Sequence, residues 1–201
     1  MNTYIIKKVY GIFDKTLDLG EVDGIKLKYM LELIINDMLK IIIMFIGFSL
    51  LGEGLAFIYC LVSLMLIRCF SGGLHLKTFS GCLIFTTCFL SICIFLHHHI
   101  FITLPLLIGL FFFNMFIMVL LTPITPKQRP KYSEKKMLQF KFISIMVVVV
   151  NFTFYYVTGN STYFAYAVWV ITLQSIQLLI ALGGITYEHK TKIKNATSND
   201  L

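Results

Sequence analysis

Residues 68–82, with the sequence RCFSGGLHLKTFSGC, bring together side chains that can carry out chemistry. Within them stand a histidine, His75, and a cysteine, Cys82, beside glycines, hydroxyl groups and Arg68. A thiol becomes a strong nucleophile when a neighbouring base takes its proton, and imidazole is such a base. The segment therefore offers Cys82 as a candidate nucleophile and His75 as a candidate base.

A straight helix would keep these two side chains apart, because seven residues rise about 10 Å along a helix axis. A catalytic pair requires the chain to fold back, and the adjacent Gly72 and Gly73 permit this because glycine adopts positive φ at little cost. We expect Thr78 or the hydroxyl of Ser80 to cap the next helix and to leave Cys82 in its first turn. There the helix dipole and a nearby imidazolium would both favour the thiolate.

The spacing within residues 68–82 does not by itself identify the oxyanion hole or a third catalytic residue. Backbone amides around Gly81 and Cys82 are the expected oxyanion hole. A third residue that orients His75 is not evident, and four candidates stay open: Ser71, Thr78, Glu32 and Asn36. The structural alternative is that a cysteine in an apolar helix is only a small filler. We expect this of the remaining cysteines, namely Cys60, Cys69, Cys88 and Cys93.

The composition indicates the class of protein in which this site lies. The chain has 201 residues, of which 58% are hydrophobic and only 13% charged, and its mean hydropathy is +0.84. Soluble domains carry about 25% charged residues, so we predict an all-α polytopic membrane protein forming a single domain over residues 1–201. A span needs about 20 apolar residues. Six apolar segments are long enough for helices: 31–51, 54–67, 79–96, 100–122, 137–157 and 162–187.

The positive charges predict the orientation of these spans, provided that the chain turns at Gly52 and Gly54. All 17 Lys and Arg then fall in residues 1–40, in two alternate connections at 68–77 and 127–141, and in the tail. The positive-inside rule places both termini and these connections in the cytoplasm. The net charge of +7 follows from this topology and from contact with anionic lipid, so we expect no nucleic-acid partner.

The N-terminus adds an amphipathic segment to this bundle. Apolar residues recur every four positions from Ile5 to Leu17, with lysines on the opposite arc, which predicts an interfacial helix on membrane lipid. The predicted organisation is an interfacial helix at 1–28, a six-span bundle at 29–187 and a cytoplasmic tail at 188–201. In the first span, Glu32 either faces a polar cavity or lies among the headgroups.

A metal site is the main competitor for the chemistry of this chain. Three consecutive histidines, His97, His98 and His99, stand at one predicted turn. Adjacent residues of a helix point in different directions, and no Cys, Asp or Glu stands near them. We therefore expect a solvated outer turn, with no metal and no cofactor.

The pattern R-x3-G-G-x-H-x6-C follows two short apolar segments and is formed by Arg68, Gly72, Gly73, His75 and Cys82. In this pattern, and in the order of its spans, nearly the whole chain resembles the AgrB family of the accessory gene regulator quorum-sensing systems. The basic, proline-containing loop at residues 122–130 also stands where that family has one.

This resemblance implies a cysteine endopeptidase of the bacterial cell membrane that cuts an AgrD-like propeptide. By that likeness Cys82 is the nucleophile and His75 the base, while Arg68 and Gly73 support the motif. The thioester would pass to a Cys or Ser of the precursor and give a thiolactone or lactone, for quorum sensing and virulence. A homodimer is also expected from the family.

The basic loop could bind the acidic part of such a precursor, and the candidate binding residues are Lys127, Arg129, Lys131 and Glu32. Two other functions fit the hydropathy. One is a small exporter or channel lined by the polar face of the first span, in which His75 and Cys82 only pack. The other is a membrane receptor that binds a peptide without cleaving it. Cleavage of a precursor separates the three.

Overall fold

The computed structural model describes residues 21–73, 78–124, 133–159 and 162–199. Within these ranges it contains six helices: α1 (Glu21–Leu50), α2 (Gly54–Ser71), α3 (Phe79–His99), α4 (Leu104–Leu121), α5 (Glu134–Val157) and α6 (Thr162–Asn199). All six are long and apolar enough to cross a membrane. The predicted all-α fold with six spans is confirmed.

The helix ends differ from the predicted spans at both ends of the chain. The helix α1 already begins at Glu21, and its apolar part covers Leu27–Leu50. The interfacial helix predicted for residues 1–28 falls mostly outside the described residues. At the other end α6 continues to Asn199, although its apolar part ends at Gly183, so the predicted tail is largely helical.

The turn predicted between the first two spans is present. Gly52 has a φ of +79°, and its N–H donates to the carbonyl oxygen of Ser49 at 3.0 Å. The Glu53 N–H donates to the carbonyl oxygen of Phe48 at 2.8 Å. These two bonds close the last turn of α1, and the positive φ redirects the chain, as glycine at a helix C-terminus commonly does.

The chain divides into two compact units, Met1–Gly54 and Leu55–Leu201. In the first unit, α1 carries an ion pair between Lys40 Nζ and Asp37 Oδ1 at 2.8 Å. The second unit contains the rest of α2 and the helices α3 to α6. The prediction of a single domain stays a prediction.

In the second unit α6 is the central helix. Of its spanning segment 72% is buried, against 17–33% for α2 to α5, and α6 packs against α3, α4 and α5. Aromatic pairs join its first turn to two neighbours: Tyr163 stacks on Tyr59 of α2, and Phe164 stacks on Phe154 of α5. A helix enclosed on most sides can carry polar residues that lipid would not tolerate.

The buried face of α6 uses this protection. Thr172, Gln174, Ser175 and Gln177 are all buried. The Thr172 Oγ1 accepts a hydrogen bond from Asn114 Nδ2 of α4 at 3.0 Å. Because hydrocarbon supplies no partners, polar groups in a membrane bundle must bond to one another or to the backbone. Gln174, on this face, bonds to the site described next.

Candidate active site

The glycine pair predicted to redirect the chain ends helix α2. The Gly72 N–H donates to the carbonyl oxygen of Arg68 at 3.1 Å, and Gly72 has a φ of +79°. Gly73, the next residue, has a φ of +151° and is buried. Because a side chain disfavours both conformations, glycine at these positions lets the chain leave α2 abruptly.

A backbone contact holds this turn against the loop that follows α4. The Ile124 N–H donates to the carbonyl oxygen of Ser71 at 3.0 Å, and Gly72 and Ile124 form a short parallel bridge. A methyl group added to the Gly72 Cα would overlap the Ile124 carbonyl oxygen. The absence of a side chain at Gly72 therefore permits this close backbone approach.

The central helix holds the same turn from another side. The Gln174 Nε2 donates to the carbonyl oxygen of Gly72 at 2.8 Å and to the Ser71 Oγ at 3.2 Å. A methyl group on Gly73 would lie 3.2 Å from Gln174 Nε2, 3.4 Å from Gln177 Nε2 and 3.6 Å from Arg68 Nε. The turn, which we call the glycine turn (residues 71–73), is thus enclosed by nitrogen donors.

Cys82 lies where the capping argument predicts. Thr78 is the N-cap of α3, and its Oγ1 accepts a hydrogen bond from the Gly81 N–H at 3.2 Å. The Cys82 N–H donates to the carbonyl oxygen of Thr78 at 3.1 Å. Cys82 therefore stands at the end of the first turn of α3, and it is half-buried.

The same bonds correct one expectation about the oxyanion hole. The amides of Gly81 and Cys82 already donate to Thr78, so they are not free to bind a developing oxyanion together. Two of the open candidates for orienting His75 are engaged as well. Thr78 is the helix cap, and the Ser71 hydroxyl donates to the Gly72 carbonyl oxygen at 3.3 Å and accepts from Gln174.

His75 lies outside the described residues, as do the other residues from 74 to 77. The described parts on either side still constrain the site. Five residue steps join Gly73 to Thr78, which span at most about 18 Å. The glycine turn and the start of α3 therefore lie within that distance of each other, and the pairing of His75 with Cys82 stays a prediction.

The remaining predicted site residues fall in different places. Arg68 is half-buried in the last turn of α2, with its Nε near Gly73. Glu32 is exposed on α1, in the first unit, and its proposed binding role is not tested. The basic residues Lys127, Arg129 and Lys131 lie outside the described residues, directly after Ile124.

His97 and His99 of the histidine run pack against aromatic rings, and the remaining cysteines divide into buried and exposed ones. The ring of His97 lies 4.1 Å from that of Tyr166, and the ring of His99 lies 4.2 Å from that of Phe95. In the part of the chain that the structure describes, no three His, Cys, Asp or Glu residues group as metal ligands. Cys60 and Cys93 are buried fillers as predicted, whereas Cys69 and Cys88 are exposed.

Gln174, which bonds to the glycine turn, and Gln177 beside it are not among the site residues predicted from the sequence. The signal was available, because two carboxamides three residues apart in an apolar span are costly and usually face the bundle interior. The sequence does not indicate the group to which Gln174 bonds. The bond from Gln174 to Gly72 joins residues separated by 102 positions.

Comparisons with known proteins show the family to which the sequence is similar. The sequence model of the AgrB family, described as accessory gene regulator B, matches residues 5–178. Over 138 residues the chain is 28% identical to a protein of Clostridium beijerinckii whose name describes it as AgrB-like, covering 67% of this chain and 68% of that protein. No solved structure matches the chain. The family match includes the glycine turn, Cys82, Gln174 and Gln177.

Proposed function

Because the chain belongs to the AgrB family, we propose that it is a membrane cysteine endopeptidase that cleaves an AgrD-like propeptide. Family membership implies a multi-pass membrane protein that processes an autoinducing peptide. The observation that carries the cysteine mechanism is the placement of Cys82 at the capped start of α3. A short connection containing His75 joins it to the glycine turn.

In this mechanism Cys82 is the nucleophile and His75 the general base. His75 takes the thiol proton, and the Cys82 sulfur attacks the carbonyl carbon of the scissile peptide bond. The carbon–nitrogen bond then breaks, and the amine half leaves with the proton from His75. The product is a thioester between Cys82 and the N-terminal part of the precursor.

The thioester is then resolved by a Cys or Ser of the precursor itself. That side chain attacks the thioester carbonyl, its proton passes to the Cys82 sulfur, and a thiolactone or lactone is released. Holding the two groups together favours ring closure over attack by water, because proximity raises their effective concentration. A site at the rim of an apolar bundle that limits the access of water strengthens this preference.

The basic loop is the proposed dock for the acidic part of the precursor. Ile124 lies against the glycine turn through the bond to Ser71, and Lys127, Arg129 and Lys131 follow within seven residues. Their charges would attract a carboxylate-rich segment towards the site. The positive-inside rule supports placing this loop and both termini in the cytoplasm.

The test is to co-express the chain with a candidate precursor, a short amphipathic peptide with a central Cys or Ser and an acidic end, and to weigh the peptide products by mass spectrometry. We expect Cys82→Ala and His75→Ala each to reduce the cleaved species at least about a hundredfold, since a general base alone contributes that much. Unchanged processing in either variant would remove the cysteine mechanism.

Two other cysteines provide matched controls. Cys88→Ala alters an exposed residue of the same helix, and processing should stay within about twofold of wild type because surface changes have small effects. Cys60→Ala removes a fully buried sulfur, so it should lower thermal stability while cleavage continues. Loss of cleavage in Cys88→Ala would show that thiol removal acts through the fold.

A further inference from the structure

Helix α6 carries two buried glutamines that differ in what they bond to. Gln174 is fully buried and donates from Nε2 to the glycine turn. Gln177 is 3% exposed, and neither its nitrogen nor its oxygen has a hydrogen-bond partner in the described part of the chain. Both carboxamides lie beside Gly73. The two residues are therefore alike in burial and in functional group, but only Gln174 bonds to the turn.

The Gln174 bonds fix the direction in which the chain leaves α2. The Gly72 carbonyl belongs to the peptide bond that leads into Gly73, and Gln174 Nε2 holds its oxygen at 2.8 Å. From the other side Ile124 donates to the carbonyl oxygen of Ser71. The Gly72–Gly73 peptide plane therefore has little freedom to rotate. Gln174 holds its carbonyl oxygen, and Ile124 holds the carbonyl oxygen of the residue before it. His75 is the second residue after Gly73 in the sequence.

We infer that Gln174 is a positioning residue for the catalytic base. Its amide orients the Gly72–Gly73 peptide bond, from which the chain continues to His75, and this orientation is what Gln174 contributes to the action of His75 on Cys82. The inference rests on the proposed function, because it assumes that His75 acts on Cys82. Gln174 itself touches neither the substrate nor the reacting sulfur in this proposal.

The free-energy cost of burying the Gln174 carboxamide favours a positioning role over simple packing. An amide inside an apolar bundle costs free energy unless it is bonded, and an apolar side chain of similar size would avoid that cost. Both donor bonds of Gln174 go to the glycine turn, while its Oε1 has no partner among the described residues. Its contribution is therefore directed at that turn.

The test measures the reactivity of Cys82 without any precursor. Full-length protein in detergent micelles is treated with iodoacetamide, and alkylation of the Cys82 peptide is followed by mass spectrometry with the native cysteines left in place. We expect His75→Ala to slow alkylation. Gln174→Met removes both hydrogen bonds to the glycine turn and should slow alkylation by at least about two- to tenfold, the range that corresponds to one neutral hydrogen bond. Gln177→Met should leave the rate unchanged.

Gln177→Met is the matched control, because it makes the same chemical change at an equally buried site three residues along α6. Should Gln174→Met fail to fold, Gln174→Asn keeps the carboxamide but is one methylene shorter, so its nitrogen no longer reaches the Gly72 carbonyl oxygen that lies 2.8 Å from Gln174 Nε2. Thermal unfolding of each variant shows whether the protein is intact. A slowed rate with intact folding supports positioning.

The outcomes separate the two levels of the proposal. If His75→Ala leaves Cys82 alkylation unchanged, no His–Cys pair exists, and the proposed function and this inference both fail. If His75→Ala slows it but Gln174→Met and Gln174→Asn do not, only the positioning role is overturned. Equal slowing in Gln177→Met and Gln174→Met also overturns it, because burial rather than bonding would then explain the effect.

Discussion

Gly72→Ala is the sharpest perturbation of the glycine turn, because the structure gives two separate reasons for a side chain to be harmful there. An L-residue held at the φ of +79° costs about 1–2 kcal/mol. The added methyl group would also overlap the Ile124 carbonyl oxygen, which forces the two backbones apart. The bond from Ile124 N–H to Ser71 O, at 3.0 Å, then breaks at a cost of about 1 kcal/mol.

The expected total is about 2–3 kcal/mol, the sum of the strain and the lost bond. Gly52→Ala isolates the first part, since Gly52 has the same φ of +79° but a methyl group there meets nothing within 4 Å. Gly109→Ala is a control with neither backbone strain nor overlap, because Gly109 lies inside helix α4 and an added methyl group meets nothing within 4 Å. It should stabilise α4 by about 0.5–1 kcal/mol through helix propensity.

Two assays check this ordering. Reversible unfolding in mixed micelles should show the largest loss of stability for Gly72→Ala, a smaller loss for Gly52→Ala and none for Gly109→Ala. Cleavage of the co-expressed precursor should fall at least about tenfold in Gly72→Ala, as 1.4 kcal/mol corresponds to a factor of ten, and should continue in the other two. Equal stability for Gly72→Ala and Gly52→Ala would refute the close approach of Ile124.

Two further predictions concern hydrogen bonds of the second unit. Thr78→Ala removes the cap of α3, so it should cost about 1 kcal/mol and reduce cleavage severalfold. Thr78→Ser should restore both, and cleavage equal to wild type in Thr78→Ala would contradict a role for the cap. A double-mutant cycle of Asn114→Leu and Thr172→Val, which removes their 3.0 Å bond, should give a coupling near 0.6 kcal/mol, the average for membrane bundles. A coupling of zero in reversible unfolding would mean that this bond does not stabilise the bundle.

The spans could be predicted from the sequence because each depends on local composition. A run of about 20 apolar residues is sufficient for a helix in lipid, and the turn at Gly52 follows from glycine at a helix C-terminus. The cap at Thr78 is equally local, since its Oγ1 bonds to Gly81, only three residues away. The ends of α1 and α6 were harder, because a helix can continue past its apolar segment into polar residues.

The candidate site likewise combines features that are local in the sequence with contacts that depend on helix packing. The residue types in 68–82 and their spacing are properties of the sequence, and they were sufficient to select Cys82, His75 and the glycine pair. The contacts of that pair come from Ile124 and Gln174, which stand 52 and 102 residues from Gly72. No local pattern contains such a pairing, because it forms only when the helices pack. The engagement of the Gly81 and Cys82 amides likewise became clear only from the cap geometry.

The amino-acid sequence by itself determined the six membrane-spanning helices among the described residues and placed Cys82 and His75 close in sequence to the start of one of them. These features depend on hydropathy, charge and spacing, which act over one or two helical turns. The tertiary structure decided that α6 is the enclosed helix and that its Gln174 bonds to the glycine turn. That choice depends on which faces are buried against one another, since only a buried position makes a carboxamide seek a partner inside the protein.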